Sequence, residues 1–359
     1  MTPRHVLVTG GAGFVGSALA LRARTAWPGA QVTALDNLRR RGSELNLARL
    51  RDAGITFVHG DIRSPADLAP LGCELDLLLE CSAEPSVLAG YDGDPSYVVD
   101  TNLGGTIHCL ELARKAGAAV VFLSTSRIYP IEALNTIATD DAPTRIEIAA
   151  AQTMPGITAA GIDEDFPLAG VRSIYGATKL ASELLIAEYR AAFGLRAIVN
   201  RCGVIAGPWQ MGKVDQGVFS LWMGRHLSGA PLTYNGWGGT GKQVRDLLHV
   251  DDLADLVQLQ VERLDTLDGR TFNVGGGRAC SLSLLETTAL CQEITGRSTT
   301  ITPSPETRVA DIKLYLTDNR RITEATGWAP RRTPRDVLAD LHGWLIAYEQ
   351  PLRHAGVID

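Results

Sequence analysis

The chain has 359 residues, of which 45% are apolar and 21% charged, and its formal net charge is −6. This length and composition allow a substantial buried core and are typical of a globular protein with one large domain or two interleaved domains. The net charge is negative, and the basic residues are scattered along the chain except for the arginines at 39–41. A nucleic-acid-binding protein would show a cluster of positive charge, so we expect no nucleic-acid partner.

Cysteine spacing and hydropathy exclude further classes of protein. The six cysteines lie far apart, without a C-x-x-C pair or a histidine cluster at metal-ligand spacing, so we expect buried free thiols and no metal. No apolar run reaches ~18 residues, and the first residues lead directly into a β-rich stretch. We therefore expect a cytoplasmic protein without a signal peptide or membrane span.

Apolar runs alternate with helical patterns through the first half of the chain. The first strand, HVLVTG, ends at Gly10 and leads through a glycine turn into a helix. The next strand-like runs end at Asp36, Asp61, Glu80, Ser126 and Cys202. Continuous apolar strands separated by helices are typical of a parallel sheet covered on both faces. The sequence therefore predicts an α/β protein with a Rossmann doubly wound parallel sheet.

The alternation stops after Gly203, in a passage rich in glycine and tryptophan that we interpret as functional loops. Residues 246–275 return to the pattern of the sheet domain. We predict a Rossmann domain of residues 1–203 and 246–275, interleaved with a smaller substrate-binding lobe of residues 204–245 and 276–359. The insertion at 131–170 is rich in Thr, Asp, Pro and Gly, and a lid over the site and a solvent-facing insertion are its two interpretations.

The glycine turn supplies Gly10, Gly13 and Gly16 between a strand and a helix, where backbone N–H groups and the helix dipole bind a pyrophosphate. Asp36 ends the second strand twenty residues after Gly16. A carboxylate at that position accepts hydrogen bonds from an adenine ribose and repels the 2′-phosphate of NADP. We therefore predict NAD as the cofactor. The arginines at 39–41 could bind the 2′-phosphate of NADP, so NADP is one alternative. A glycine turn that binds no ligand is the other.

Tyr175 and Lys179, in the stretch RSIYGATKLASE, lie four residues apart and so share one face of a predicted helix. A neighbouring ammonium and the positive nicotinamide favour a phenolate, so Tyr175 can take a hydroxyl proton as hydride leaves the same carbon. Thr125, at the carboxyl end of its strand, can share that proton. An ordinary amphipathic helix with a solvated lysine, and a threonine making local turn bonds, are the structural alternatives.

The motifs TGGAGFVG, DN, GDI, TNLGGT, STSRIYP, YGATK and RDLLHVDD together resemble the extended short-chain dehydrogenase/reductase family of nucleotide-sugar epimerases and dehydratases. The resemblance implies tightly held NAD, a nucleotide-sugar site in the C-terminal lobe, catalysis by Tyr175, Lys179 and Thr125, and a homodimer formed through the predicted helices at residues 97–116 and 173–193. The expected cofactor-binding residues are Gly10, Gly13, Phe14, Val15, Gly16, Asp36, Asn37, Asp61, Ile62, Ser82, Ala83, Asn102, Ser124, Tyr175 and Lys179.

Two further features concern the branch of the family. Its dehydratases carry an Asp-Glu pair directly after the strand threonine, where this chain has Ser126 and Arg127, so the resemblance implies epimerisation. The stretches DNLRRRGSELNLARL, WQMGKVDQGVFSLW, GKQVRDLLHVDDL and TRVADIKLYLTDNRRI are similar to the CDP-paratose 2-epimerase group, which inverts C2 of a CDP-sugar. A UDP-sugar 4-epimerase and a non-catalytic dinucleotide-sensing protein are the alternatives. The expected substrate-binding residues are Glu84, Ser126, Arg127, Gln210, Lys213, Asp215, Arg245 and Arg308.

The chain also departs from the family pattern. Glu80 stands where the family has a histidine before its cofactor-binding alanine pair, and Cys81, Ser82 and Ala83 follow it. Val204 replaces an asparagine that is common after the sixth strand. Because of these departures, the resemblance does not determine which sugar the protein binds.

Overall fold

The computed structural model describes residues 1–91, 93–212 and 217–358. Its strands are β1 His5–Thr9, β2 Gln31–Asp36, β3 Thr56–His59, β4 Leu77–Glu80, β5 Ala119–Thr125, β6 Thr139–Asp141, β7 Ile146–Ile148, β8 Ala197–Cys202, β9 Val204–Ala206, β10 Leu232–Asn235, β11 Val244–His249, β12 Thr271–Val274, β13 Ser281–Ser283, β14 Ile301–Ser304 and β15 Leu314–Tyr315. Its helices are α1 Phe14–Ala26, α2 Asn46–Asp52, α3 Pro65–Leu68, α4 Ser96–Val99, α5 Gly105–Ala116, α6 Ile131–Asn135, α7 Ile174–Phe193, α8 Val218–Ser228, α9 Val250–Glu262, α10 Leu264–Leu267, α11 Leu284–Thr295, α12 Arg320–Thr326, α13 Pro334–Ala347 and α14 Glu349–His354. Within these ranges, no helix is both long enough and apolar enough to cross a membrane.

In the part of the chain that the structure describes, seven strands form one sheet in the order β12-β8-β5-β4-β1-β2-β3. β1 pairs in parallel with both β2 and β4, β2 with β3, and β4 with β5. Helix α1 packs on β1 and β2, and α5 and α7 pack on β5. The predicted Rossmann α/β fold is confirmed. Because the paired strands are parallel, the carboxyl ends of β1, β4 and β5 meet at one edge of the sheet.

A core cluster fixes α7 and α5 against the sheet. It includes Leu7 of β1, Leu78 of β4, Phe122 of β5, Leu110 of α5 and Ile186 of α7, each at most 2% exposed. Burying a side chain of this size contributes about 1.5–3 kcal/mol. The apolar face of α7 therefore sets the position of its polar residues near the sheet edge.

The predicted helix over 97–116 is interrupted. The structure has α4, then a π-helical turn at Asp100–Gly104, then α5. The turn contains Asn102, which is fully buried. Such turns often mark functional sites, and no apolar spacing signals them in a sequence.

The contacts divide the chain into two compact units. The first is Met1–Ile128, Ile174–Arg201 and Leu253–Phe272, and the second is Tyr129–Ser173, Cys202–Asp252 and Asn273–Asp359. The predicted domains differ from these units mainly in the insertion, which the prediction placed with the Rossmann domain.

The contacts of the insertion explain that difference. Ile148 of β7 packs with Val244, Leu314 and Leu316 in a buried cluster of the second unit. Asn273 Nδ2 donates to the carbonyl of Ile162 in the insertion at 3.0 Å. A solvent-facing segment would not bury such groups, so the insertion is part of the core of its unit. Its closure over a site as a lid stays a prediction.

The passage after Gly203 contains more regular structure than expected. Helix α8 and strand β10 lie in it, and β10 pairs in parallel with β14. The helix buries Phe219, Trp222 and Met223 on one side. The interpretation of the whole passage as loops was therefore wrong, because the aromatic residues pack in a core.

Candidate active site

The glycine turn between β1 and α1 is the first part of the candidate cofactor site. Gly10 has a φ of +62°, and an ideal Cβ there would lie 3.0 Å from the carbonyl carbon and oxygen of Cys81. An ideal Cβ at Gly16 would lie only 2.0 Å from the carbonyl oxygen of Gly10. Only glycine therefore lets the turn close against the loop after β4 and lets α1 pack onto the turn.

The N-terminus of α1 suits an anion. The helix begins at Phe14 with Gly13 as its N-cap; among the described residues no side chain caps it, and its first turn holds no acidic residue. Phe14 and Val15 are half-buried. The amides of an uncapped helix N-terminus and the dipole behind them bind phosphate groups. The cradle that the glycines leave open therefore fits the pyrophosphate of a dinucleotide.

Asp36 connects the end of β2 to the glycine turn. Its Oδ2 accepts from the amide of Ala12 at 3.1 Å, and its Oδ1 accepts from the amide of Leu38 at 2.8 Å. Burial raises the pKa of Asp36 above its ordinary 3.8, and these backbone amides oppose the rise. The carboxylate thus lies beside the turn, as its predicted contact with an adenine ribose requires.

A charged cluster follows β2 and β3. Arg63 Nη2 donates to Asp61 Oδ2 at 2.7 Å, and Asn37 Nδ2 donates to the same oxygen at 2.9 Å. The Arg63 guanidinium is the main reason that the pKa of Asp61 falls to about 2. The guanidinium carbons of Arg39 and Arg63 lie 3.8 and 4.8 Å from the ring centroid of Tyr97. Both cations therefore stack on one aromatic ring, a contact that sequence reasoning missed.

Ile62 and Asn102 hold the neighbouring segments. Ile62 is 5% exposed, and an ideal Cβ at Gly105 would lie 2.3 Å from its Cδ1. Asn102 accepts from the amide of Glu84 at 2.8 Å and donates to its carbonyl at 3.1 Å. The buried amide thus fixes the loop after β4, in which Ser82 and Ala83 are half-buried. The Glu84 carboxylate accepts from the amide of Ser86 at 3.2 Å, which turns it toward its own loop.

The end of β5 holds the next group of predicted residues. Thr125 is its last residue, 7% exposed, and its Oγ1 accepts from the amide of Arg127 at 3.2 Å. Ser126 and Arg127 belong to the 3₁₀ turn that follows. The hydroxyl of Ser124 donates to Glu183 of α7. Ser124, predicted to bind the cofactor, therefore makes a protein hydrogen bond in this structure.

Tyr175 and Lys179 lie on α7, as predicted, and both are buried, with 9% and 2% of their surface exposed. Lys179 Nζ lies 3.7 Å from Glu80 Oε2, at the end of β4, and 4.4 Å from the ring centroid of Phe122. The solvated lysine of the structural alternative is therefore wrong. Lys179 is held at the sheet edge where β4 and β5 end.

Sequence reasoning missed two buried charged residues near this face. Glu183, one turn after Lys179, accepts from Arg201 Nε at 3.1 Å and Nη2 at 2.9 Å. The helical spacing of Tyr175, Lys179 and Glu183 could have revealed the carboxylate, since all three lie on one face. No local signal identifies Arg201, because it comes from β8.

The predicted substrate residues of the second unit have their own contacts. Gln210 donates to the carbonyl of Ile205 at 2.8 Å and accepts from Ser220 at 2.7 Å. Arg245 Nη2 lies 3.0 Å from Asp311 Oδ1, while Arg308 is exposed. Lys213 and Asp215 lie outside the described residues.

Known proteins resemble this chain over most of its length. The model of the NAD dependent epimerase/dehydratase family matches residues 6–275. The chain is 30% identical to the CDP-paratose 2-epimerase of Salmonella typhi, over 94% of this chain and 98% of that protein. It is also 30% identical to the dTDP-glucose 4,6-dehydratase of Mycolicibacterium smegmatis, over 96% and 94%. The solved UDP-glucose 4-epimerase of Thermus thermophilus, in complex with NAD, is 26% identical, with a TM-score of 0.75 over 95% of this chain and 99% of that chain.

Proposed function

The chain belongs to the NAD dependent epimerase/dehydratase family, and we propose that it inverts C2 of a cytidine-diphosphate sugar. It is an enzyme of the nucleotide-sugar epimerase and dehydratase kind, and its cofactor is NAD. The C2 position and the cytidine nucleotide are supported by its 30% identity to a CDP-paratose 2-epimerase.

One series of contacts carries the proposal. Gly10 closes against Cys81, whose amide donates to Thr9 Oγ1 at 3.2 Å. The residue before Cys81 is Glu80, which lies 3.7 Å from Lys179 Nζ. The glycine turn, the end of β4 and the polar face of α7 are therefore neighbours at one sheet edge. A dinucleotide at the turn and a sugar at Tyr175 require this arrangement.

We assign roles to three residues of this edge. Tyr175 takes the proton of a sugar hydroxyl, Thr125 shares that proton, and the Lys179 ammonium stabilises the phenolate. When bound, NAD supplies reversible acceptance of hydride at the sugar carbon, so transient oxidation to a ketone allows its reduction on the opposite face. The burial of Tyr175 and Lys179 keeps water from the proton that they exchange.

Epimerisation is favoured over dehydration by the residues after Thr125. Ser126 and Arg127 occupy the positions at which the family's dehydratases carry an acid pair, and neither residue has a carboxyl group to protonate a departing hydroxyl. For the diphosphate we propose Arg245 and Arg308. Arg245 contacts Asp311, so a phosphate there competes with a carboxylate.

The base assignment is tested by Tyr175→Phe. We expect kcat to fall by about 10²- to 10⁴-fold while NAD remains bound, because only the proton acceptor is removed. The matched control is Tyr189→Phe, which removes a hydroxyl from the same helix that bonds to Glu111 at 2.8 Å. Full activity of Tyr175→Phe would show that another group is the base.

The substrate is tested by incubating the protein with CDP- and UDP-hexoses and locating the inverted carbon by NMR. We expect inversion at C2 of a CDP-hexose, and no solvent deuterium at that carbon when the reaction runs in heavy water. Inversion at C4 of a UDP-hexose would establish the rival 4-epimerase. Bound NAD without turnover of any nucleotide sugar would favour a dinucleotide-sensing protein.

A further inference from the structure

Glu80 is an unusual residue for the end of a central strand. Its side chain is 1% exposed, and among the residues that the structure describes no well-formed hydrogen bond reaches either carboxylate oxygen. A buried carboxylate without well-formed hydrogen bonds costs folding free energy, which its attraction to a nearby cation offsets only in part. Fold stability therefore does not account for Glu80.

Among the described residues, the cation that contacts Glu80 is Lys179. Lys179 Nζ of α7 lies 3.7 Å from Oε2, which is an ionic contact longer than an N–H···O hydrogen bond. α5 contributes the thiol of Cys109, whose pKa is raised well above its ordinary value by burial and by the Glu80 carboxylate. β5 contributes the ring of Phe122 beside the ammonium, and β1 contributes Thr9, whose hydroxyl accepts from the amide of Cys81.

The next charged residues on α7 and β8 form a separate pair. Glu183 and Arg201 bond to each other one helical turn beyond Lys179. Glu183 therefore contacts Arg201, and the carboxylate that contacts Lys179 is Glu80. The ammonium is therefore fixed between a carboxylate and an aromatic ring at the edge where β4 and β5 end.

We propose that Glu80 is a positioning residue for Lys179: its carboxylate holds the ammonium at the sheet edge and sets the pH range in which Tyr175 and Lys179 work. The proposal rests on the function proposed above, since it gives Glu80 a role only through those two residues. Burial raises the pKa of Glu80, and the Lys179 ammonium and the backbone amide of Ser82 oppose the rise. The contact between the carboxylate and the ammonium fixes the position of Lys179 on α7 relative to the end of β4.

The test is Glu80→Gln, which keeps the shape of the side chain and removes its charge. Without the anion, Lys179 and Tyr175 both lose their protons more readily, so both limbs of the pH profile of kcat/KM move to lower pH. The basic limb, which reports the nearer ammonium, shifts by about one pH unit or more. The pH dependence of NAD affinity, measured by calorimetry, shows the same acid shift of its basic limb.

The matched control is Glu111→Gln, which removes a carboxylate of α5 paired with Arg114 and leaves both limbs in place. Glu80→Asp keeps the negative charge on a shorter side chain. Both limbs of the pH profile of kcat/KM therefore stay at their wild-type pH, while kcat falls. If Glu80→Gln does not fold, the Glu80→Asp variant decides. Unchanged limbs of its pH profile together with a lower kcat support the proposal, and a wild-type kcat in this variant overturns it. Unmoved limbs in a folded Glu80→Gln also overturn it.

These outcomes are distinct from failure of the proposed function. A wild-type protein that turns over no nucleotide sugar refutes that function, yet its NAD-affinity profile still responds to Glu80→Gln if the carboxylate controls Lys179. An NAD-affinity profile that is identical in the wild type and in Glu80→Gln overturns the role of Glu80, whichever sugar the enzyme accepts.

Discussion

Asp246 of β11 makes stability depend on pH in a direction opposite to that of most carboxylates. Its side chain is fully buried; Oδ2 accepts from the amides of Gly277 and Thr317, both at 3.0 Å, and among the described residues Oδ1 has no hydrogen-bond partner. Burial raises the pKa of Asp246 from 3.8 to about 6, although the side chain and amide of Thr317 and the amide of Gly277 oppose the rise. The folded protein therefore binds this proton more tightly than the unfolded chain does.

The sign and the size of the effect follow from that shift. The contribution of Asp246 to stability is complete below about pH 4 and is lost as the pH rises through about 6. A shift of about two units corresponds to about 3 kcal/mol, as an order of magnitude. Asp246→Asn has no proton to lose, and its carbonyl oxygen still accepts from Gly277 and Thr317. The free energy of unfolding of the variant, relative to the wild type, should therefore rise by about 2–3 kcal/mol between about pH 4 and about pH 7.

Urea unfolding at a series of pH values measures this difference. The control is Asp52→Asn, which makes the same chemical change where the side chain is 72% exposed. Its effect on the free energy of unfolding should vary by less than about 0.5 kcal/mol over the same pH range. The reasoning would be refuted if the difference in the free energy of unfolding between Asp246→Asn and the wild type did not change with pH, or were largest in acid.

Two further substitutions test the packing of the site. Gly16→Ala places a Cβ 2.0 Å from the Gly10 carbonyl oxygen, so the turn must shift. Calorimetry should then find the affinity for NAD reduced by at least about tenfold. An undiminished affinity would contradict the role of the turn. Its control, Gly343→Ala at an exposed position of α13, has nothing within 4 Å of the new Cβ and should raise the free energy of unfolding by about 0.5–1 kcal/mol. Arg201→Met leaves the Glu183 carboxylate buried without its cation and should cost about 3–5 kcal/mol in denaturant unfolding, part of which Glu183→Gln should restore. A loss below about 1 kcal/mol would contradict the role of this ion pair.

Local patterns were sufficient for the sheet and for the glycine turn. A run of apolar residues such as VVFLST can be buried on both faces only in a covered parallel strand, and β5 ends at Thr125, one residue before the predicted end at Ser126. The turn at Gly10 requires a positive φ, a requirement that glycine meets without strain. These features depend on neighbours in sequence, so the sequence alone could indicate them.

The passage after Gly203 and the insertion were harder to interpret. Their aromatic and polar residues pack within one unit, where Trp222 Nε1 donates to Thr288 Oγ1 at 3.0 Å and Ile148 lies against Val244. Partners so distant along the chain leave no periodic signal. Weak periodicity was therefore mistaken for loop structure in a segment that includes α8 and β10.

By itself, the sequence determined the strands of the parallel sheet, the glycine turn and the shared helical face of Tyr175 and Lys179, because each depends on spacing within a single segment. Only the tertiary structure decided which charges meet: Lys179 with Glu80, Glu183 with Arg201, and Arg245 with Asp311. The physical reason is that the strength of an ionic contact depends on distance and burial. Both are fixed only when separate strands and helices pack against one another.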